Sequence, residues 1–289
     1  MHGTGVPLAT PFDEDGAVRE NDLRALVTEL ETRGVDFFVP CGSNSEAALM
    51  SVEERATVTR IVADEADGKI LAGTGHPGLR ESLRQTELAA DAGADAALVV
   101  TPFYHKHDQD ALEAYYRDLA DESPIPIYLY SVPKYTGTRL DPRTVESLAT
   151  HDNVGGMKDS SGNLGALQRI VNFTADADFD VLVGAGSIFA GALAIGATGG
   201  VLALANVAPE GASEIYERFQ DGDLDGALAR NRELVELNHA VTGEYGVPGL
   251  KAAMNDRGLP AGWPRRPLLP VDAAAEAELA AIVEDAGLD

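Results

Sequence analysis

The chain has 289 residues, of which 45% are hydrophobic and 24% charged, so it can build one large core and is not of the disordered type. Acidic residues outnumber basic ones by 47 to 22, giving a net charge of −25, and such a field excludes nucleic acid as a partner because it repels phosphate. A surface this acidic, with only five lysines, predicts adaptation to high salt, which screens self-repulsion.

Eight short apolar runs, separated by helix-length amphipathic stretches, predict repeated β/α units and a parallel sheet. They cover residues 5–9, 37–41, 70–74, 97–101, 125–130, 154–158, 181–184 and 201–205. Eight strands that each precede a helix favour a closed barrel over an open doubly wound sheet. The sequence therefore predicts an α/β fold, a TIM (β/α)8 barrel over residues 1–209 with a C-terminal helical extension.

Local signals mark the ends of several predicted helices. Residues 51–54 form a capping-box pattern that begins a helix running through residue 66. Three glycines follow helical patterns where a left-handed C-cap is expected, namely Gly34, Gly93 and Gly196.

Residues 210–289 contain no strand-like run and show three helical patterns, at about residues 209–220, at 224–245 and from 271 onward. They predict a three-helix extension that packs on the barrel and is suited to oligomer contacts.

The uncharged stretch at residues 184–209 is long enough to suggest a membrane span. The Gly199-Gly200 pair is expected to break it into a helix and a buried strand. Cys41 is the only cysteine, and the N-terminus lacks the pattern of a signal peptide. We therefore expect a cytoplasmic protein with no membrane segment.

In barrels of this kind the active site lies at the C-terminal ends of the strands. Lys158 ends the sixth predicted strand, although lysine is depleted in strands and is rarely buried without a partner. From position alone, the simpler interpretation is that it reaches solvent or pairs with Asp159. The alternative is a buried, neutral amine that attacks a carbonyl carbon and forms a Schiff base.

Two neighbouring features support the second interpretation. Tyr130 ends the adjacent strand, where a phenol can transfer protons, although a tyrosine there is also a common packing residue. The loop Gly42-Ser43-Asn44-Ser45 offers backbone N–H groups and hydroxyls ahead of a predicted helix, which suits a carboxylate and equally an ordinary turn.

Two other motifs suggest a metal site and a dinucleotide site. His105, His107 and Asp108 could begin a site like that of zinc-dependent aldolases, but no further ligand can be named, and a solvated or substrate-facing loop is the simpler interpretation. Gly184-Ala185-Gly186 lacks the third glycine and the acidic residue of a dinucleotide fingerprint. We expect neither a metal nor an organic cofactor.

The motifs Gly42-Ser43-Asn44-Ser45-Glu46, Tyr130-Ser131-Val132-Pro133 and Gly156-Met157-Lys158-Asp159-Ser160 resemble those of the dihydrodipicolinate synthase and N-acetylneuraminate lyase family of class I aldolases. The resemblance is collinear and extends from Thr10-Pro11-Phe12 to residues 251–269.

The resemblance implies a homotetrameric or dimeric barrel that acts on pyruvate and an aldehyde. Lys158 would be the Schiff-base lysine, Tyr130 the proton-transfer residue, and Tyr104 the aromatic residue that enters a neighbouring subunit's site. Ser43 is expected to act in both catalysis and carboxylate binding. The other expected substrate-binding residues are Asn44, Leu202, Gly184, Lys106 and His107.

The aldehyde partner is the least determined part of the prediction. Synthases of the family place an arginine, which binds a substrate carboxylate, where this chain has Tyr135, and Thr-Thr-Gly where it has Ser43-Asn44-Ser45. We therefore first expect cleavage of a 2-keto-3-deoxy sugar acid such as the gluconate or its 6-phosphate. The alternatives are a 4-hydroxy-tetrahydrodipicolinate synthase, a 4-hydroxy-2-oxoglutarate aldolase and, in another class, a non-catalytic 2-oxo acid binding protein.

Overall fold

A computed structural model describes residues 1–288 as a closed barrel of eight parallel strands in sequence order. The strands are β1 (Gly3–Val6), β2 (Phe37–Phe38), β3 (Lys69–Gly73), β4 (Ala96–Val100), β5 (Ile127–Ser131), β6 (Val154–Asp159), β7 (Asp180–Val183) and β8 (Gly199–Val201). The predicted TIM barrel is thus confirmed, with boundaries that shift by one to a few residues.

The eighth strand was predicted wrongly. It covers Gly199–Val201 rather than residues 201–205, and residues from Leu204 onward turn into a short helix. The cause is barrel closure, since a Cβ on Gly199 would lie 2.4 Å from the carbonyl oxygen of Gly3 in β1. The glycine pair expected to interrupt a membrane span therefore lets two backbones approach each other. Within residues 1–288, no helix is long and apolar enough to cross a membrane.

Helices surround the barrel and continue beyond it. They are α1 (Glu20–Thr32), α2 (Val52–Glu65), α3 (Leu79–Asp91), α4 (Gln109–Glu122), α5 (Pro133–Thr136), α6 (Pro142–Leu148), α7 (Leu164–Phe173), α8 (Phe189–Ala194), α9 (Leu204–Val207), α10 (Pro209–Gln220), α11 (Leu224–Glu233), α12 (Val235–His239), α13 (Gly246–Asp256) and α14 (Ala273–Asp285).

The predicted helix ends of the barrel agree with the structure. In α2 the Ser51 hydroxyl accepts the N–H of Glu54 at 3.1 Å, and the Glu54 carboxylate accepts the N–H of Ser51 at 2.8 Å. This capping box stabilises the helix by about 1 kcal/mol. The three glycines expected as left-handed caps all have positive φ, from 94° to 103°.

The C-terminal part differs from the prediction in two places. The helical pattern at residues 224–245 divides into α11, α12 and a π-helical turn, Ala240–Glu244. In addition, α13 was not expected because Pro248 and Gly249 are helix breakers in most positions. Pro248 is tolerated in the first turn, and Gly249 is required where a Cβ would lie 2.2 Å from the Cβ of Tyr245. The division at residue 209 stays a prediction.

Strand register decides which side chains enter the barrel. Tyr130 of β5, Lys158 of β6 and Leu182 of β7 are register partners, so they lie in one layer on the same face of the sheet. Tyr130 and Leu182 belong to the apolar cluster inside the barrel, which also includes Phe37, Leu71, Leu98 and Val201. Lys158 therefore projects into the barrel interior near the C-terminal ends of the strands.

Candidate active site

Lys158 and Tyr130 are adjacent inside the barrel. The Lys158 side chain is about 5% exposed, and its Nζ lies 4.5 Å from the centroid of the Tyr130 ring. No salt bridge or hydrogen bond reaches this Nζ from any residue between positions 1 and 288. A buried amine with no anion beside it is costly, so its place in the barrel suits a reactive group rather than a structural one.

Asp159 does not neutralise Lys158. It points away from the barrel interior, and its Oδ1 accepts the N–H of Ser161 at 3.0 Å and the Ser161 hydroxyl at 2.5 Å. Burial raises the pKa of Asp159, although the Ser161 bonds and the charge of Arg139 oppose the shift. The structure thus realises neither part of the simpler interpretation of Lys158, since the amine is not solvated and is not paired with Asp159.

A second buried lysine, Lys251, differs from Lys158 because its Nζ is bonded. Lys251 of α13 is about 1% exposed, and its Nζ lies 2.6 Å from Oε1 of Glu46. The same Nζ donates to the carbonyl oxygens of Thr10 and Trp263 at 2.7 and 2.8 Å. Because these three oxygens engage all three of its N–H donors, Lys251 is not available as a nucleophile.

Gly184 and Ser160 complete the surroundings of Lys158. A Cβ on Gly184 would lie 1.9 Å from the Ser160 hydroxyl oxygen and 3.0 Å from Cε of Lys158. Gly184 therefore leaves the space that Cε of Lys158 and the Ser160 side chain occupy. Ser160 is a neighbour that the sequence did not indicate, because it lies just beyond the end of β6, where the two-residue period of a strand no longer applies.

The Ser43 loop forms one wall of a cavity of about 960 Å³ at the same end of the barrel. Ser43, Tyr130 and Val132 line this cavity, whereas Asn44 is half-buried and is not one of its lining residues. The buried Ser45 hydroxyl accepts the N–H of Gly42 at 3.1 Å and donates to the carbonyl of Leu8, which fixes the loop to the barrel.

The loop leads first into a three-residue 3-10 turn, Ala47–Leu49, and the predicted helix then begins as α2 at Val52. So short a turn adds only a small dipole behind the loop. The polar groups of the loop are the hydroxyl of Ser43, the amide of Asn44 and backbone N–H groups.

Lys106 and His107 lie in a different place from the other predicted residues. With Gln109 and Arg139 they line a shallow cleft of about 600 Å³, which shares no lining residue with the Ser43 cavity. The Asp108 side chain caps α4 by accepting the N–H of Ala111 at 2.9 Å. In the part of the chain that the structure describes, no three His, Cys, Asp or Glu side chains are grouped to hold a metal ion.

Tyr104 and Leu202 are the remaining predicted residues. Tyr104 is about 91% exposed, has a left-handed backbone with φ of 78°, and contacts His105 edge-on at 5.1 Å. It does not line the Ser43 cavity of its own chain. Leu202 is fully buried directly after β8, and its N–H donates to the carbonyl of Gly5 at 3.0 Å.

Tyr135 is a further wall residue of the Ser43 cavity. Tyr135 is about 61% exposed, and its partial burial together with the nearby Tyr130 raises its pKa. The phenol therefore stays neutral at physiological pH and offers a hydrogen bond but no positive charge.

Comparisons with known proteins agree on one family. The profile of the Dihydrodipicolinate synthetase family matches residues 1–286. A 4-hydroxy-tetrahydrodipicolinate synthase from Methanothrix thermoacetophila is 40% identical over 96% of this chain and 95% of its own length. An uncharacterized DapA-like lyase from Halobacterium salinarum is 36% identical over the whole chain and 95% of its own.

A solved structure extends the comparison to the fold. The dihydrodipicolinate synthase from Acinetobacter baumannii, complexed with pyruvate, superimposes with a TM-score of 0.96 at 31% identity. The alignment covers 100% of this chain and 99% of that one.

Proposed function

The chain belongs to the dihydrodipicolinate synthetase family of class I aldolase-type carbon–carbon lyases, and we propose that it forms a Schiff base between pyruvate and Lys158. The observation that carries the proposal is the buried Nζ of Lys158, which lies above the Tyr130 ring at the C-terminal ends of the strands and has no ionic partner among residues 1–288.

The reaction begins when the amine of Lys158 adds to C2 of pyruvate to give a carbinolamine, and a proton delivered through Tyr130 to its hydroxyl lets water leave and gives an iminium ion. Loss of a proton from C3 produces an enamine, and the iminium nitrogen takes up the electron pair. The enamine carbon then attacks the aldehyde carbon, and Tyr130 donates a proton to the aldehyde oxygen. Hydrolysis of the new iminium releases the product and the lysine, and the reverse sequence cleaves a 4-hydroxy-2-oxo acid.

We assign the pyruvate carboxylate to the Ser43 loop. Ser43 and Tyr130 line the same cavity, so a carboxylate held at the loop leaves the ketone facing the barrel interior. Gly184 and Leu202 lie on the rim formed by β7 and β8, where we propose that they bound the pyruvate on its other side. No metal or organic cofactor enters this chemistry.

For the aldehyde, the relatives favour aspartate semialdehyde, the partner in a 4-hydroxy-tetrahydrodipicolinate synthase. That name belongs to the relative from Methanothrix thermoacetophila and to a 35% identical one from Haloarcula marismortui. They support the synthase over the sugar-acid aldolase that we first expected.

One observation keeps the sugar-acid aldolase as a second candidate. Tyr135 stands in the cavity wall where, by the family resemblance, synthases have an arginine for the substrate carboxylate. A neutral phenol suits a hydroxyl-bearing aldehyde better than an anionic one. Lys106 and His107 line a separate cleft, so neither candidate relies on them at the Ser43 cavity.

We further propose that Tyr104 acts in a second copy of the chain. A tyrosine that is almost fully exposed and held in a left-handed backbone is unusual in a monomer, and a partner subunit would cover it. Assembly into a homodimer or homotetramer would then place it at a neighbouring site.

The test has two stages. Treatment with pyruvate and borohydride should add the mass of a reduced pyruvate adduct to Lys158, and Lys158→Met should remove that addition. A substrate panel then separates the candidates. Turnover of aspartate semialdehyde with pyruvate supports the synthase, while cleavage of 2-keto-3-deoxy gluconate alone supports the aldolase. No adduct on the wild-type protein would overturn the proposal.

A further inference from the structure

The buried ion pair of Lys251 and Glu46 lies next to the Ser43 loop. Glu46 is the residue directly after Ser45, and its side chain is as buried as that of Lys251, about 1% exposed. Lys251 comes from α13, which follows the eight strands of the barrel. The pair therefore links the C-terminal region to the loop at the mouth of the barrel.

Glu46 is bonded at both carboxylate oxygens. Its Oε1 lies 2.6 Å from Nζ of Lys251, and its Oε2 accepts the backbone N–H of Arg265 at 2.6 Å. Phe12 lies beside this pair, with its ring centroid 4.6 Å from Nζ of Lys251. The position of the Glu46 side chain is thus fixed by two partners that are distant in the sequence.

The backbone of Glu46 is also constrained, because its φ of 59° is in the left-handed region that glycine prefers. The N–H of Glu46 donates to the carbonyl of Ser43 at 3.1 Å and closes the turn that contains Ser43 and Asn44. A change at Glu46 would therefore move both residues. Among residues 1–288, the other side-chain attachment of the turn is the Ser45 hydroxyl.

We infer that Lys251 is a positioning residue for pyruvate, since its bond to Glu46 holds the Ser43 turn in the conformation that accepts the carboxylate. Lys251 does not touch the substrate, because Glu46, Thr10 and Trp263 engage its three donors. The inference rests on the proposed function, which assigns the carboxylate to this loop.

Lys251→Met keeps a side chain of similar length and removes the charge, which leaves the Glu46 carboxylate without its partner. A buried anion with no partner tends to move toward water. The turn would shift with it, and pyruvate would bind more weakly. The chemistry at Lys158 would be unchanged once pyruvate is bound.

The measurement is the rate of borohydride trapping at Lys158 as a function of pyruvate concentration. For Lys251→Met we expect the half-saturating concentration to rise about tenfold, with the rate at saturation retained within about twofold. A purely structural lysine would lower the amount of active protein and leave half-saturation unchanged. Lys69→Met is the matched control, because Lys69 is about 70% exposed and pairs with Asp95 far from the loop.

A double variant, Glu46→Gln with Lys251→Met, guards against misfolding because it leaves no buried charge without a partner. It should fold and still show the raised half-saturation. A folded double variant or a folded Lys251→Met with wild-type half-saturation would overturn the inference. If wild-type protein and Lys69→Met both take up no pyruvate, the proposed function fails, and the inference fails with it.

Discussion

Replacement of Gly184 by alanine is the sharpest test of the arrangement around Lys158. The added methyl would lie 1.9 Å from the Ser160 hydroxyl oxygen and 3.0 Å from Cε of Lys158. The hydroxyl can rotate away, but carbon atoms normally stay about 3.5–4.0 Å apart, so the end of the lysine must move by roughly 0.5–1 Å.

The size of the effect follows from that displacement. Overfilling a packed interior by one methyl costs about 1–3 kcal/mol of stability. A reacting atom displaced by about 1 Å can lose about 100-fold in rate. We therefore expect Gly184→Ala to trap pyruvate about 10–100-fold more slowly at saturating pyruvate and to remain folded.

The assay is borohydride trapping followed by mass measurement at Lys158, with urea denaturation in parallel. Gly191→Ala is the control, because the nearest atom to its added methyl is Cδ2 of Leu164 at 3.7 Å. Adding Ser160→Ala to Gly184→Ala removes the shortest of the three close contacts and leaves those with Cβ of Ser160 and Cε of Lys158, both at 3.0 Å, so at most part of the rate should return. Trapping by Gly184→Ala at the wild-type rate would refute the placement of Lys158 against Gly184.

Three further predictions follow. Tyr130→Phe keeps the ring under Lys158 and removes the hydroxyl, so turnover with aldehyde should fall by about 10²–10⁴-fold while pyruvate trapping persists; unchanged turnover would exclude Tyr130 as the proton donor. Withdrawal of KCl should lower the Tm because the net charge of −25 is then unscreened, and a Tm independent of salt would contradict adaptation to high salt. The hydrogen bond from Arg265 and that from Ser51 lower the pKa of Glu54 below 4.5. The Glu54 carboxylate therefore adds to the free energy of unfolding above pH 4.5, and this stabilisation is lost as the pH falls through the folded-state pKa. Because Glu54 is about 35% exposed, Glu54→Gln should cost only about 1 kcal/mol at pH 7 and nothing near pH 2 in urea unfolding; an equal loss at both pH values would contradict this assignment.

The sequence was most informative where local patterns repeat. The alternation of apolar runs and helical stretches predicted the eight-stranded barrel, and the capping box at Ser51 and Glu54 predicted the start of α2. It failed at β8, where Gly199 enters the sheet because no Cβ fits against Gly3. Hydrophobic periodicity does not report the close approach of two backbones. The apolar pattern therefore predicts the strand in the residues that follow Gly199 and Gly200.

In the candidate site too, the sequence indicated some residues and missed contacts between distant segments. Lys158 and Tyr130 were identifiable because both end predicted strands and because their motifs resemble a family. Ser160 was not indicated, because it lies just beyond the end of β6, where the two-residue period of a strand no longer applies. Nothing local in the sequence indicated that Glu46 bonds to Lys251, since 205 positions (251 − 46) separate them.

The sequence by itself determined the barrel, the position of the lysine at a strand end and the acidic character of the surface, because these depend on residue type and short-range spacing. Only the tertiary structure decided that Lys158 is buried with no ionic partner in residues 1–288 while Lys251 is fully bonded, that Lys106 and His107 lie in a separate cleft, and that Gly184 makes room for the lysine. The physical reason is that burial and pairing depend on which distant segments meet, and that is set by the closure of the barrel and the packing of α13 against it.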